Sequence, residues 1–112
     1  MLKKSFRIGR KGLERFFKLK SGYFKGALLT ARARRNNLAF NRFAFVVSGP
    51  KTRAAHLRNL AKRRMAEAAR SVFGAAKPGR DVVFFMKLAD RAVPPFAEIK
   101  EDIKNVLSKI SF

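Results

Sequence analysis

Apolar residues recur along this chain in three rhythms, and each rhythm predicts an element. Within residues 11–19, Leu13, Phe16 and Phe17 stand at i, i+3 and i+4, which predicts a short helix with one apolar side, ending before Ser21-Gly22. Residues 27–35 alternate instead. Leu29, Ala31 and Ala33 fall on one face, with Leu28, Thr30, Arg32 and Arg34 on the other, predicting a strand whose second face is basic. Residues 42–48 alternate again with Phe43, Phe45 and Val47 on one side. Between the two strands lies Asn36-Asn37, a pair that tolerates left-handed backbone, so the strands are expected to be hairpin neighbours.

Gly49-Pro50 breaks the second strand, and Thr52 stands where a helix N-cap belongs. From there to Phe73 one long helix is predicted. Its residues Ala54, Leu57, Ala61, Met65, Ala68 and Val72 lie within about 80° on a helical wheel and form the stripe that packs on the sheet. Gly74 and then Lys77-Pro78-Gly79 stop it. Val82-Val83-Phe84-Phe85-Met86 is apolar throughout and too short for a helix between such breakers; it reads as a central strand buried on both faces. After Pro94-Pro95, a final helix carries Phe96, Ile99, Ile103, Val106, Leu107 and Ile110 at helical period, with Glu98, Lys100, Glu101 and Lys104 outside. With an optional extra strand at Gly22-Tyr23-Phe24, the order is α-β-β-(β)-α-β-α. The fold class is α+β, a small mostly antiparallel sheet packed with helices, in one domain over residues 1–112 with a flexible basic N-terminus at 1–10.

Charge changes this picture from a generic domain to one with a partner. The 112 residues hold 27 Lys and Arg against 7 Asp and Glu, a formal charge of +20. Residues 1–35 contain 12 bases and 1 acid, residues 36–80 contain 10 and 1, and residues 81–112 contain 5 and 5. The last third is neutral, so the first two-thirds carry the excess. A self-repelling charge of this size on a small body calls for a polyanion, nucleic acid before an anionic membrane surface. The 47% of hydrophobic residues argues for a folded core rather than a disordered basic tail. No cysteine is present, which excludes disulfides and thiolate metal sites. No stretch has the length of a membrane span, and the first residues lack the apolar block of a signal peptide, so a cytoplasmic location is expected.

The bases concentrate on the long helix. Arg58 and Lys62 lie one turn apart beside the apolar stripe, Asn59, Arg63 and Arg70 line the outward face, and Arg53 and Arg64 flank the stripe's other edge. A rigid helix bearing guanidinium forks at one-turn spacing suits backbone phosphates. A solvated charged face is the plain alternative, but Glu67 is the one acid near enough to compensate these groups locally.

These residues also carry a resemblance. The run Arg42-Phe43-Ala44-Phe45-Val46-Val47-Ser48, then Ala55-His56-Leu57-Arg58-Asn59-Leu60-Ala61-Lys62-Arg63-Arg64, then Gly79-Arg80-Asp81-Val82-Val83, resembles the protein component of bacterial ribonuclease P. Arg7-Ile8 and Leu13-Glu14-Arg15-Phe16-Phe17-Lys18 are similar to that family's opening, so nearly the whole chain is covered in order. The resemblance implies a fold like the second domain of ribosomal protein S5, with a left-handed strand–helix–strand crossover through the Arg-Asn helix. It implies a protein subunit of a ribonucleoprotein endonuclease that removes the 5′ leader of precursor tRNA and leaves a 5′-phosphate on the mature end. In that family the catalytic RNA does the chemistry with Mg²⁺ held by the RNA, and the protein supplies no catalytic residue, metal ligand or cofactor site. The implied partners are the catalytic RNA and precursor tRNA, with no membrane and no small-molecule substrate.

On this resemblance Arg58, Asn59, Lys62, Arg63 and Arg64 are carried over as contacts to the RNA subunit and the substrate leader, and Arg53 and Arg70 are added to the RNA-subunit set from their place on the same helix. Leu13 and Phe17 are carried over to a leader-binding cleft between the first helix and the sheet, and Arg7, Phe16, Lys18, Arg32 and Arg34 are added to it as neighbouring aromatic and basic residues of the first helix and the basic strand. Several positions depart from the family pattern. Leu60 and Ala66 stand where basic residues are usual, Leu13 replaces a cleft Phe, Ala31 stands where some relatives have a cleft Tyr, and Ala44 replaces a Gly.

Of the twelve Phe, Phe43, Phe45, Phe84, Phe85 and Phe96 are expected in the core, while Phe17 and Phe24, among lysines, are expected as exposed rings. His56 is read as a polar side chain facing solvent or a backbone group rather than a general base, and Glu98 with Asp102 as a solvated pair rather than a Mg²⁺ site. Two other classes fit the charge: a structural RNA-binding protein of ribosomal type and a basic membrane-surface protein.

Overall fold

The computed structural model describes residues 4–49, 55–72, 77–88 and 93–110. Val82, Val83 and Phe84 are all essentially buried although they alternate between opposite faces of one strand. Such a strand belongs in the middle of a sheet covered on both sides. Accordingly β4 (Arg80–Lys87) lies between β2 (Thr30–Arg35), antiparallel to it, and β3 (Arg42–Ser48), parallel to it. β1 (Gly22–Lys25) adds antiparallel to the far side of β2, giving the order β1-β2-β4-β3. The remaining elements are a 3-10 turn at Lys4–Phe6 and three helices, α1 (Arg10–Lys18), α2 (Ala55–Ser71) and α3 (Phe96–Lys109).

The α+β class, the mostly antiparallel sheet and the optional extra strand are all present. The hairpin of β2 with β3 is not. β4 inserts between them, because the strand that is apolar on both faces gains most from the central position. The Asn36-Asn37 turn does form, with Asn37 at φ 61° and the Leu38 amide donating to Asn36 Oδ1, but it links strands one place apart. β3, α2 and β4 make the parallel strand–helix–strand crossover.

Strand parity sorts the side chains. One face carries Phe24, Ala31, Ala33, Phe43, Phe45, Val47, Val82, Phe84 and Met86, and packs under α2 and α3. Phe84 stacks between Phe43 and Phe45, with ring centroids 5.9 and 5.8 Å away. On α2 the expected stripe holds, with Ala61, Met65, Ala68 and Val72 buried and Leu57 half-buried against the core. The buried side extends to Ala66 and Ala69, and α2 packs against α3 as well as against the sheet. Leu60 also packs against the core, so both positions that depart from the basic pattern serve packing in this chain. Thr52, Ala54, Phe73 and Gly74 lie outside the described residues.

Two buried acids tie distant elements together. Asp102 of α3 is 6% exposed and accepts the amides of Ala27, Leu28 and Leu29 at 2.8–3.0 Å, capping the β1–β2 loop. The expected strand over 27–35 therefore begins only at Thr30. Asp102 is not the solvated partner of Glu98 that helical spacing suggested. Gly26 allows the approach, since a Cβ there would stand 2.6 Å from Asp102 Oδ2. Phe96 of the final helix is 40% exposed and lies off the core it was expected to fill. At the other end of α3, the buried Arg80 guanidinium donates to the carbonyls of Ile110 and Lys77, and burial lowers its pKa from the ordinary arginine value.

Replacing Asp102 by Asn leaves at least one of three buried amides without an acceptor. Asp102→Asn should lower the unfolding free energy by about 2–3 kcal/mol, read as a drop in urea midpoint at unchanged m-value. An unchanged midpoint would remove Asp102 from the account of the fold.

Candidate nucleic-acid interface

Three neighbouring rows on the opposite face of the sheet form this surface. Register places Tyr23, Arg32, Val83 and Ala44 side by side across β1, β2, β4 and β3. Lys25, Thr30, Phe85 and Val46 form the row on one side of it, and Arg34, Asp81 and Arg42 the row on the other. Helix α1 covers the middle row. Phe16, 2% exposed, packs with Ile8 on Ala44 and Val83, with Leu13, Val46 and Phe85 around them. The Ile8 amide donates to the Phe43 carbonyl at 2.9 Å, and Phe6 meets Phe40 edge-on at 5.3 Å. The tether of α1 to the edge strand β3 thus begins inside the stretch expected to be a flexible terminus.

Covering one row leaves the other two open. On the Phe85 side, Phe17 is 42% exposed with its ring 6.1 Å from that of half-buried Phe85. Arg32 reaches from β2 with its guanidinium carbon 5.5 Å from the Phe17 centroid and 5.9 Å from that of Phe16. Its Nε donates to Ser21 Oγ at 3.0 Å, fixing the group over the rings. Tyr23, 64% exposed, borders Arg32 from the edge strand. An open aromatic floor with a fixed guanidinium above it offers nucleobases a stacking surface and phosphates a cation.

Several assignments shift within this geometry. Leu13, Phe17 and Arg32 come together at this cleft, whereas Phe16 lies beneath it as core. Lys18 is exposed at the end of α1, and Arg7 lies along the β3 edge, bridged to Phe43. Arg34 belongs to the third row, on the other flank of α1. Ala31 is fully buried on the opposite face of the sheet, so it vacates nothing in the cleft; the cleft-facing neighbour on β2 is Arg32. Phe24 and Phe85 exchange their expected places, Phe24 packing against the core and Phe85 opening to the cleft. Tyr23 was missed, although the alternation of Tyr23 with Phe24 in a strand was the available signal.

In the third row Asp81 is held by the Arg42 fork, Nε at 2.9 Å and Nη2 at 2.7 Å, and by Asn36 Nδ2 at 2.9 Å. The hydrogen bond to Asp81 raises the Arg42 pKa above the ordinary arginine value, outweighing its desolvation. This is the function of the acid two residues after Gly79 in the sequence.

Across the sheet, α2 presents a second basic surface. Asn59, Lys62 and Arg63 are exposed and Arg58 is half-buried, and none of the four has a hydrogen-bond or ion-pair partner among the described residues. Arg70 grips Glu67 Oε2 through Nε and Nη2 at 3.1 and 3.0 Å. Arg64 donates to the carbonyls of Val93 and Pro94 at 3.2 and 2.9 Å, which binds α2 to the segment before α3. Arg53 lies outside the described residues. His56 is exposed. Among the described residues no group of three or more His, Cys, Asp or Glu stands in reach of one metal ion, and no helix is long and apolar enough to cross a membrane.

Residues 3–111 match the family model described as Ribonuclease P. The fold is shared with the ribonuclease P protein of Thermotoga maritima, 24% identical, at a TM-score of 0.78 over 95% of this chain and 98% of that one. It is likewise shared with the ribonuclease P protein of Staphylococcus aureus, 22% identical, at a TM-score of 0.71 over 94% of each chain. No curated protein matches the chain in sequence.

Adjacent phenylalanines with opposite environments give a direct check on the cleft. Phe16→Ala should cost about 3–5 kcal/mol of stability, and Phe17→Ala only about 1–2 kcal/mol from its ring and guanidinium contacts, both read by urea unfolding. Equal losses would mean that Phe17 is a core residue and the cleft is closed.

Proposed function

Because this chain belongs to the ribonuclease P protein family, we propose that it serves as the protein subunit of a cytoplasmic ribonucleoprotein, binding the catalytic RNA and the single-stranded 5′ leader of precursor tRNA. The observation that carries the leader assignment is the open cleft beside α1. Exposed Phe17 and Tyr23 and half-buried Phe85 bring aromatic surface on which bases can stack to one flank of α1, and Arg32 lies over the Phe17 ring. Such a site holds a strand without demanding a sequence. The unpartnered Arg58, Asn59, Lys62 and Arg63 of α2 suit the phosphates of a structured RNA, where guanidinium and ammonium groups displace condensed counterions.

In this division of labour the hydrolysis of the leader phosphodiester belongs to the RNA and to Mg²⁺ bound by it. Asp81 and Asp102 have their oxygens occupied by arginine, asparagine and backbone donors, so neither is a free general base. The protein's part is to raise the affinity for substrate and to neutralise phosphates at low ionic cost, leaving the mature tRNA with a 5′-phosphate.

Reconstitution with the catalytic RNA should lower the Mg²⁺ and salt at which precursor tRNA is cleaved. Arg58→Ala with Lys62→Ala should weaken RNA-subunit binding and flatten its log–log salt slope by roughly 0.7–0.9 per lost phosphate contact. Phe17→Ala should raise KM for leader-bearing substrate by roughly tenfold, one stacked base's worth, with kcat little changed. Unchanged cleavage at low Mg²⁺, or RNA binding without stimulated processing, would instead favour a structural RNA-binding protein of ribosomal type.

A further inference from the structure

The third row of the sheet is a site in its own right. On the flank of α1 away from the aromatic cleft lies a hollow of about 420 Å³, lined by Lys11 and Arg15 of α1, by Leu19 just beyond its end, and by Arg34, Asn37 and Arg42 of the sheet end. Four cations converge on it, and the single carboxylate in its wall is Asp81, whose two oxygens are already taken by Arg42 and Asn36. Lys11 and Arg15 stand one turn apart on α1, where like charges repel, and neither has a partner among the described residues. Glu14, the one acid of α1, makes no ion pair with them. Arg34 is aimed by its bonds from Nε to the Lys20 carbonyl and from Nη1 to the Arg35 carbonyl, and Nη2 has no partner among the described residues. Asn37 turns into the hollow's rim in left-handed backbone.

With Arg42 balanced by Asp81, three further cations on this concave surface face no carboxylate of their own, and two of them, Lys11 and Arg15, have no partner among the described residues; such a surface is electrostatically incomplete without an anion. We propose that this hollow binds phosphate groups of an RNA backbone, separately from the aromatic cleft on the other flank of α1. The inference rests on the RNA-binding reading above. Its lining favours phosphate over bases: Phe16 has its ring buried and Leu19 is aliphatic, so no open ring offers a stacking face, while lysine and arginine donors surround the space. α1 then stands between two grooves of different chemistry, an aromatic one that stacks bases and a cationic one that holds phosphates.

The test separates this site from both the cleft and α2. Inorganic pyrophosphate is titrated into the full chain at fixed ionic strength while amide resonances are followed by NMR. The largest shifts should fall at Gly12, Asn36 and Asn37. The Lys11→Gln, Arg15→Gln double variant, changed only at exposed helix positions, should bind pyrophosphate at least tenfold more weakly, with Phe17→Ala binding as the wild type. The double variant should also lose about one to two phosphate contacts from the salt dependence of single-stranded RNA binding, roughly 0.7 in slope for each. Shifts that centre on α2, or pyrophosphate binding unaffected by the double substitution, would overturn the site. Loss of pyrophosphate binding with an unchanged RNA slope would overturn its assignment to RNA and leave a site for free phosphate. The pyrophosphate arm contains no RNA, so failure there is distinct from failure of precursor-tRNA processing, which bears on the parent reading alone.

Discussion

The structure depends on one requirement, that β4 be buried on both faces. Val82, Val83, Phe84 and Met86 leave almost no surface to water, and a strand of that composition needs a neighbour on each edge and a cover on each side. α2 and α3 cover one side. On the other, α1 has only nine residues and lies over a single row of the sheet. The incomplete cover leaves an aromatic groove on one flank and a cationic hollow on the other. The proposed function is assigned to this half of the sheet, which the core does not close.

The same economy explains the charge. Acids that elsewhere would neutralise surface bases are turned inward as structural groups. Asp102 holds the β1–β2 loop by three amides, and Asp81 orients Arg42 and Asn36 at the head of β4. Arg58, Lys62 and Arg63 on α2 and Lys11 and Arg15 on α1 are left without an ion-pair partner among the described residues, on opposite sides of the sheet. Like-charge repulsion of this kind lowers stability until a polyanion is bound.

What the sequence made legible was everything governed by short-range periodicity: three helices, the alternating strands, the left-handed Asn turn and the basic face of α2. The strand order was not legible, because nothing local in residues 30–48 announces that a strand from residue 80 onward will lie between them. Asp102 was invisible for a related reason. Helical spacing paired it with Glu98, whereas its partners lie more than 70 residues earlier. The cleft was half legible. Phe17 and Arg32 carry signals of their own, but Phe16, one residue from Phe17, becomes core, and Tyr23 and Phe85 enter the cleft only through cross-strand register. Arg64 and Arg70 share the residue type and helix of Arg58 and differ from it because the carbonyls of Val93 and Pro94 and the Glu67 carboxylate are in reach.

Tyr23 makes the central claim directly measurable, because it is the single tyrosine of a chain without tryptophan and stands beside Arg32 on the rim of the cleft. Its fluorescence can be followed in the assembled ribonucleoprotein as precursor tRNA and mature tRNA are added in turn. If the cleft holds the 5′ leader, leader-bearing RNA quenches the emission and mature tRNA does not. Equal quenching by both, or by neither, would contradict the account.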